Sequence, residues 1–428
     1  MGAAELWYMT PRDTVYFGGG MPFNAGEGGY LHSIFPPSPR IMQGFVRTAI
    51  LAAHGVDWDS YYKDYCNICG KPASLCEVLA TVGSAGCYDD MKLDLRGPVI
   101  AEDIGGGPST LLFPAPRDLV CKGEKLVRLA PGGKEIVCDL GSVRLPRILD
   151  EDVTERSSGS QRASEGTTEH ERIEDLADYW ITEEGFIEYL KGGEVHRKDL
   201  RHAGNIFGNE NRTGIGRNNA TGAVKTGLLY SLGHVRLKKG YKFAEWVSGV
   251  PPQTQPSRIQ ILGGEKRLSY LDRAAAAGWN ANLGDPGLKQ HIARKIDAAG
   301  GRFKLVFLQP GLLDLDGAIL PVTGGTLGIV KLRSPFGHSS VVFSGLPKDL
   351  GAILVSACQP RPQRIGGWNM AAREGRGESI PMEHVIPAGS VFFFEARAVG
   401  EEIVEALHGV KLGRETRIGF GEVMVGAW

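Results

Sequence analysis

The sequence predicts an α+β fold of two domains. Three observations lead there. Short runs of β type mix irregularly with a few helical patterns, and no βαβ repeat or heptad emerges. The chain has 428 residues, enough for two domains at about 100–200 residues each. It also carries 60 glycines and 24 prolines, which require many tight turns.

Residues 4–9 read as a strand, and 11–37 as a long ordered loop rich in Gly and Pro. Residues 39–54 are helical: Ile41, Phe45, Ala49 and Ala52 fall on one face, and Ser38 is placed to cap the start. Strands follow at 90–101 and 109–115. The run 157–171 has the composition of a flexible surface insertion. Two short helical stretches are expected over 172–191. Residues 228–235 and 241–247 resemble a hairpin turning at Lys238, Lys239 and Gly240. Further strands are expected at 302–308, 341–344, 353–358, 390–395 and 416–425, with helices at 287–299 and 399–407.

Apolar residues make up 42% and charged residues 23%, as in a soluble globular protein. The N-terminus lacks the basic-then-apolar pattern of a signal peptide, and no stretch approaches about 18 apolar residues. The expectation is a cytoplasmic protein, without membrane contact, whose seven cysteines stay reduced. Net charge is −1, but it is unevenly spread. Residues 197–242 hold ten Lys or Arg against two acids, and residues 150–178 hold ten acids against three Arg. Such a basic strip can hold phosphates, but charge alone favours a solvated hairpin face.

Several nucleotide and hydrolase motifs are excluded. Lys225 in Gly222-Ala223-Val224-Lys225-Thr226 does not follow a glycine, so no Walker cradle forms. Gly419-Phe420-Gly421 enters a last strand rather than a helix, which removes the dinucleotide mechanism. The ten histidines form no spaced metal pair, and His32 is the best acid/base candidate. Cys66-Asn67-Ile68-Cys69-Gly70 has the turn of a zinc knuckle. Cys76 and Cys87 would complete a structural four-thiolate zinc site, free thiols in a short insertion being the alternative. No other cofactor is expected. Gly409 to Gly421 is a basic, glycine-rich loop before the last strand. Its glycines allow close backbone approach, while Lys411, Arg414 and Arg417 could neutralise phosphates. A glycine-capped helix-to-strand connection reads similarly.

That loop resembles the glycine-rich signature of the RAMP superfamily of CRISPR-associated proteins. Further segments, in order, resemble the subunit that holds the guide RNA's 5′ handle in type III-B (Cmr) effectors. They include Phe35-Pro36-Pro37-Ser38-Pro39, Leu95-Arg96-Gly97-Pro98, Phe113-Pro114-Ala115-Pro116-Arg117-Asp118-Leu119, Leu262-Gly263-Gly264-Glu265, Gly366-Gly367-Trp368 and Pro387-Ala388-Gly389. Gly18, Gly19 and Gly20 stand where the family often has a basic residue.

The resemblance spans nearly the whole chain. It implies two ferredoxin-like (RRM-like) domains with long loop and hairpin insertions, here 1–200 and 201–428. It implies a non-catalytic, RNA-binding role: capture of the crRNA 5′ handle beside the large polymerase-like subunit and the backbone RAMP subunits, with target RNA met only indirectly. The large subunit's GGDD motif is absent from this sequence.

The phosphate contacts expected are Lys411, Gly413, Arg414, Arg417, Gly419 and Gly421 in the loop, Arg212, Arg217, Asn218 and Lys225 in the basic strip, and Arg40 and Arg47 on the first helix. Trp368 is a candidate stacking residue, and Arg373 and Arg376 are candidates for RNA or a neighbouring subunit. Two rivals remain: a metal-independent crRNA-processing endoribonuclease using His32, and a protein-only scaffold subunit.

Overall fold

The computed structural model describes residues 4–19, 30–103, 109–138, 141–148, 173–218, 220–275, 282–312, 328–333, 339–344, 350–372 and 377–428. The fold is α+β, with strands dominant. Strand Glu5–Pro11 is the pivot of the larger sheet. It pairs antiparallel with Tyr241–Ser248 on one side and Leu268–Ala275 on the other. Its side chains alternate: Trp7 and Met9 are fully buried in one core, while Leu6 and Tyr8 pack against another. A strand covered on both faces reads as a near-continuous apolar run, which is how residues 4–9 announce it. Each such side chain contributes about 1.5–3 kcal/mol by leaving water.

The eight strands run Leu200–His202, Tyr179–Thr182, Thr110–Pro114, Asp94–Glu102, Tyr241–Ser248, Glu5–Pro11, Leu268–Ala275 and Ile259–Ile261. This sheet therefore draws on residues from both sides of position 200. A second, six-stranded sheet runs Gly328–Arg333, Ser339–Ser344, Ala352–Cys358, Val391–Glu395, Arg302–Phe307 and Val423–Ala427. In chain order, the four strands around the pivot of each sheet stand second, third, first, fourth.

Helices Pro286–Ala298 and Gly400–Leu407 cover the second sheet and meet at Gly400, where a Cβ would lie 2.1 Å from the Ala293 carbonyl oxygen. A shared apolar core joins the two sheets. Within it Lys304 Nζ donates to Asp118 Oδ2 at 2.6 Å, and Tyr189 Oη donates to Asp118 Oδ1 at 2.5 Å.

Helix Pro39–Ala53 lies over the other face of the larger sheet. Its buried stripe is Met42, Phe45, Val46, Ala49 and Ile50, so the face is rotated from the one expected and Ala52 points to solvent. Ser38 makes no side-chain cap; Pro39 in the first turn, with its fixed φ, starts the helix instead.

The expected hairpin is also corrected. Strand Val224–Leu237 pairs with Phe207–Arg217, while Tyr241–Ser248 leaves for the central sheet. The turn is real, since the Tyr241 N–H bonds the Lys238 carbonyl and Gly240 has φ 91°. The 172–191 stretch supplies one helix, Glu183–Leu190, preceded by two short strands. The run 157–171 lies outside the described residues. No helix among those described is long and apolar enough to cross a membrane.

Candidate nucleic-acid interface

The glycine-rich loop is built by its neighbours. Ile418 and Phe420 are fully buried and anchor it to the core. Gly419 has φ 113°, and a Cβ there would sit 2.7 Å from the Gly97 carbonyl oxygen. At Gly421, φ is 76° and the clash would be 1.8 Å, with the Leu412 carbonyl oxygen. Their N–H groups bond the carbonyls of Thr416 and Pro310. Gly413, with φ 95°, is buried as well. These glycines fold the loop upon itself and onto the adjacent strand, and the N–H groups of Gly419 and Gly421 are engaged within the protein rather than presented to a ligand. That corrects their expected role.

Lys411 is corrected likewise. Its Nζ donates to Asp94 Oδ1 and the Leu95 carbonyl, both at 2.7 Å, and burial lowers its pKa against the pull of Asp94. Beside it, Glu422 Oε1 accepts from Arg96 at 2.6 Å. Glu245 is fully buried with neither carboxylate oxygen bonded, and burial holds its pKa well above the usual carboxylate range. The positive charge of Lys411 is thus spent within the protein.

Arg40 sits at the centre of a clamp. Its Nε and Nη2 grip Glu415 at 2.8 and 2.5 Å, and Nη2 also reaches Glu383 at 2.6 Å. The guanidinium lies 5.4 Å from the centroid of the Tyr88 ring, and its side chain is 3% exposed. Burial opposes its charge, but the two carboxylates outweigh that and raise its pKa. Glu415 holds φ 53°, an uncommon state for a residue with a side chain. Arg47 is buried too and donates to the carbonyls of Val82 (3.2 Å) and Cys87 (2.8 Å). Both guanidinium groups are buried and bonded to protein acceptors. Both belong to the scaffold, because Arg buries well when its fork finds matched acceptors.

Two loop cations do face solvent. Arg414 is half exposed and bonds the other oxygen of Glu383 at 2.5 Å. Arg417 is exposed and has no partner among the described residues. Glu383 belongs to the hairpin of Gln363–Asn369 with Glu378–Val385, whose Gly366 carbonyl also accepts from Arg40 at 3.3 Å. On that hairpin Trp368 is 56% exposed. The clamp therefore fixes two exposed cations and one exposed indole to a single buried guanidinium. Arg373 and Arg376 lie outside the described residues.

In the basic strip, Arg212 and Arg236 each pair with both Asp13 and Glu210 at 2.8 Å, so the strip is partly neutralised. Arg217 is exposed and reaches the Gly222 carbonyl at 3.4 Å. Asn218 shapes the tip, its Oδ1 accepting from the Ala220 N–H at 3.0 Å. Lys225 lies in strand Val224–Leu237. His32 is exposed on strand Tyr30–His32 with its ring against Tyr30. No acid or base partners it among the described residues.

A feature the sequence reading left without a role is a cavity of about 300 Å³. Phe35, Trp180 and Phe207 wall it, Phe35 and Phe207 being stacked at 3.9 Å. Arg117 lines it with a buried Nε that has no partner among the described residues. Burial lowers the Arg117 pKa, against the opposing charges of Asp175 and Asp178. The Phe35 and Phe113–Leu119 segments stood out in sequence, but only the fold brings them together. Of the four cysteines singled out, Cys66, Cys69 and Cys76 converge and Cys87 does not.

The family model for a CRISPR-associated protein (Cas_Cmr3) matches residues 7–428. The chain belongs to the Cas_Cmr3 family. It is a CRISPR-associated protein of the Cmr and RAMP type, as the ordered motifs implied. No curated protein matches the chain. Two solved cryo-EM structures of the type III-B Cmr-beta contain chains similar to this Cas_Cmr3 member. One, bound to cognate target RNA and AMPPnP in state 1, shares 12% identity and a TM-score of 0.44 over 94% of this chain and 88% of that one. The other, bound to cognate target RNA, shares 14% identity and a TM-score of 0.44 over 98% of this chain and 96% of that one.

Proposed function

We propose that this protein is the non-catalytic subunit that holds the 5′ handle of the crRNA in a type III-B effector, beside the large polymerase-like subunit and the backbone subunits. The observation that carries the reading is the clamp. Arg414 and Arg417 stand exposed on a loop whose shape is fixed by Arg40, Glu415 and three buried glycines. Preorganised cations bind phosphates without an ordering cost at the moment of contact. Trp368 offers a stacking face on the same assembly, and the cavity at Phe35 and Arg117 has room for one unstacked base.

The strand order of both sheets supports two ferredoxin-like domains. Helix Pro39–Ala53 follows the first strand of one, and Gly400–Leu407 follows the third strand of the other. On this reading the junction falls between 275 and 286, later than expected from sequence, because the larger sheet takes its last strand from Leu268–Ala275.

The test is the double variant Arg414→Ala/Arg417→Ala, titrated with crRNA across salt concentrations. Losing two phosphate contacts should flatten the slope of log affinity against log salt by about 1.4, at about 0.7 per phosphate for a single strand. An unchanged slope would mean the loop is structural only. Site-specific cleavage of repeat RNA, lost in His32→Ala, would favour the endoribonuclease instead.

A further inference from the structure

The segment between the first helix and strand Asp94–Glu102 contains chemistry that RNA binding does not use. The thiol sulfurs of Cys66, Cys69 and Cys76 all lie within 4.8 Å of one another. Three thiolates around a tetrahedral zinc, with bonds near 2.3 Å, stand about 3.8 Å apart, so these sulfurs are at or just beyond coordination spacing. The three side chains belong to separate small elements: strand Tyr65–Cys66, the turn after it, and the residue that opens helix Glu77–Val82.

The local backbone has the form that metal knuckles need. Gly70 adopts φ 66° and returns its N–H to the Cys66 carbonyl at 2.9 Å, which closes the turn. The N–H groups of Cys69 and Ile68 are aimed at the Cys66 sulfur. Asn67 locks the turn to its surroundings, accepting from the Asp57 N–H at 3.1 Å and donating to the Gly55 carbonyl at 3.3 Å.

Cys66 and Cys76 are buried and Cys69 is exposed, so an ion held here would sit at the edge of the core. Strands Tyr65–Cys66 and Lys71–Pro72 have two residues each, so a crosslink here would add to a short ladder. Cys87 is placed elsewhere: its carbonyl accepts from Arg47 and its thiol bonds Asp90. No fourth His, Cys, Asp or Glu joins the group among the described residues.

We propose that Cys66, Cys69 and Cys76 bind one zinc ion through three thiolates and leave its fourth position to solvent. On binding, the three thiols release their protons to water and each sulfur donates a lone pair to the metal. The ion staples the 57–82 segment against the first helix. This inference stands independently of the RNA-binding reading.

The test uses the full chain, purified under reducing conditions, stripped of metal and exposed to zinc sulfate. Elemental analysis should find about one zinc per chain. Cys69→Ser, a change at an exposed position, should lose the metal, whereas Cys87→Ser should keep it. X-ray absorption should show three sulfurs near 2.3 Å and one lighter ligand. Cobalt loaded in place of zinc should give the thiolate charge-transfer bands of a tetrahedral site, and a chelator should lower the melting temperature of the zinc form. The proposal is overturned if the reduced chain takes up no zinc, or if Cys87→Ser loses the metal while Cys69→Ser retains it. It is equally overturned if the unreduced, denatured chain titrates two thiols short of its seven cysteines, which would reveal a disulfide instead.

Discussion

Replacing Arg40 with Ala should damage both stability and RNA binding, although Arg40 is buried. The change removes four hydrogen bonds from a charged donor, two to Glu415, one to Glu383 and one to the Gly366 carbonyl. It leaves Glu415, with a side chain only 10% exposed, as an uncompensated buried charge. Breaking one side of such a pair costs about 3–5 kcal/mol. At about 2–4 °C per kcal/mol for a domain of roughly 200 residues, the melting temperature should fall by about 10 °C.

The pH dependence carries a second signature. Burial already raises the pKa of Glu415, and Arg40 is the group that pulls it back. Without Arg40 the folded-state pKa rises further above the unfolded value. A raised carboxyl favours the protonated form in the fold, so its contribution grows as pH falls and is lost as pH rises through the folded value. The deficit of Arg40→Ala relative to wild type should therefore shrink from neutral to mildly acid pH in thermal melts. Arg417→Ala, at an exposed position without a partner among the described residues, should stay within about 0.5 kcal/mol. If Arg40→Ala melted like Arg417→Ala at neutral pH, the clamp would not hold the loop.

Three further outcomes follow from the same geometry. His408 donates to the Leu283 carbonyl at 2.8 Å and accepts from the Val425 N–H at 3.3 Å, which requires a neutral ring. Burial, the largest cause, brings its pKa down to about 4 from 6.5. A depressed folded pKa means stability present above the unfolded value and lost as pH falls through the folded one. About 3 kcal/mol should disappear between roughly pH 6.5 and 4, and His408→Gln should remove that share of the slope in melts against pH. Gly421→Ala forces a Cβ against the Leu412 carbonyl at positive φ, and should cost about 1–3 kcal/mol and weaken RNA binding, while Gly208→Ala, with open space around it, serves as the control. Trp368→Ala should leave the melting temperature unchanged and lower crRNA affinity by about 1–3 kcal/mol if a base stacks there, as read by fluorescence titration.

Much of the fold was legible because local patterns carried it. The strand at residues 4–9 is apolar on both faces, and the helix at 39–54 shows in the spacing of its apolar residues. The glycine-rich loop was legible as a loop, and the ordered motifs led to the family. The roles of its residues were not. Arg40 and Lys411 look in sequence like ordinary cations, yet their acceptors are 375 and 317 residues away. Burial is a property of those distant partners, not of the local text. The hairpin failed for a related reason: a turn at Gly240 says where the chain reverses, not which strand it then joins. Cys87 failed because a list of cysteines fixes no distances, and only the fold separates it from the other three.

The most direct test of the central claim is to purify a tagged form of the protein from its native host and sequence the small RNAs that accompany it. The account predicts RNAs sharing one repeat-derived 5′ end, recovered with other CRISPR-associated subunits and much reduced for Arg414→Ala/Arg417→Ala. Recovery of the protein alone, or with RNA lacking a common 5′ end, would contradict it.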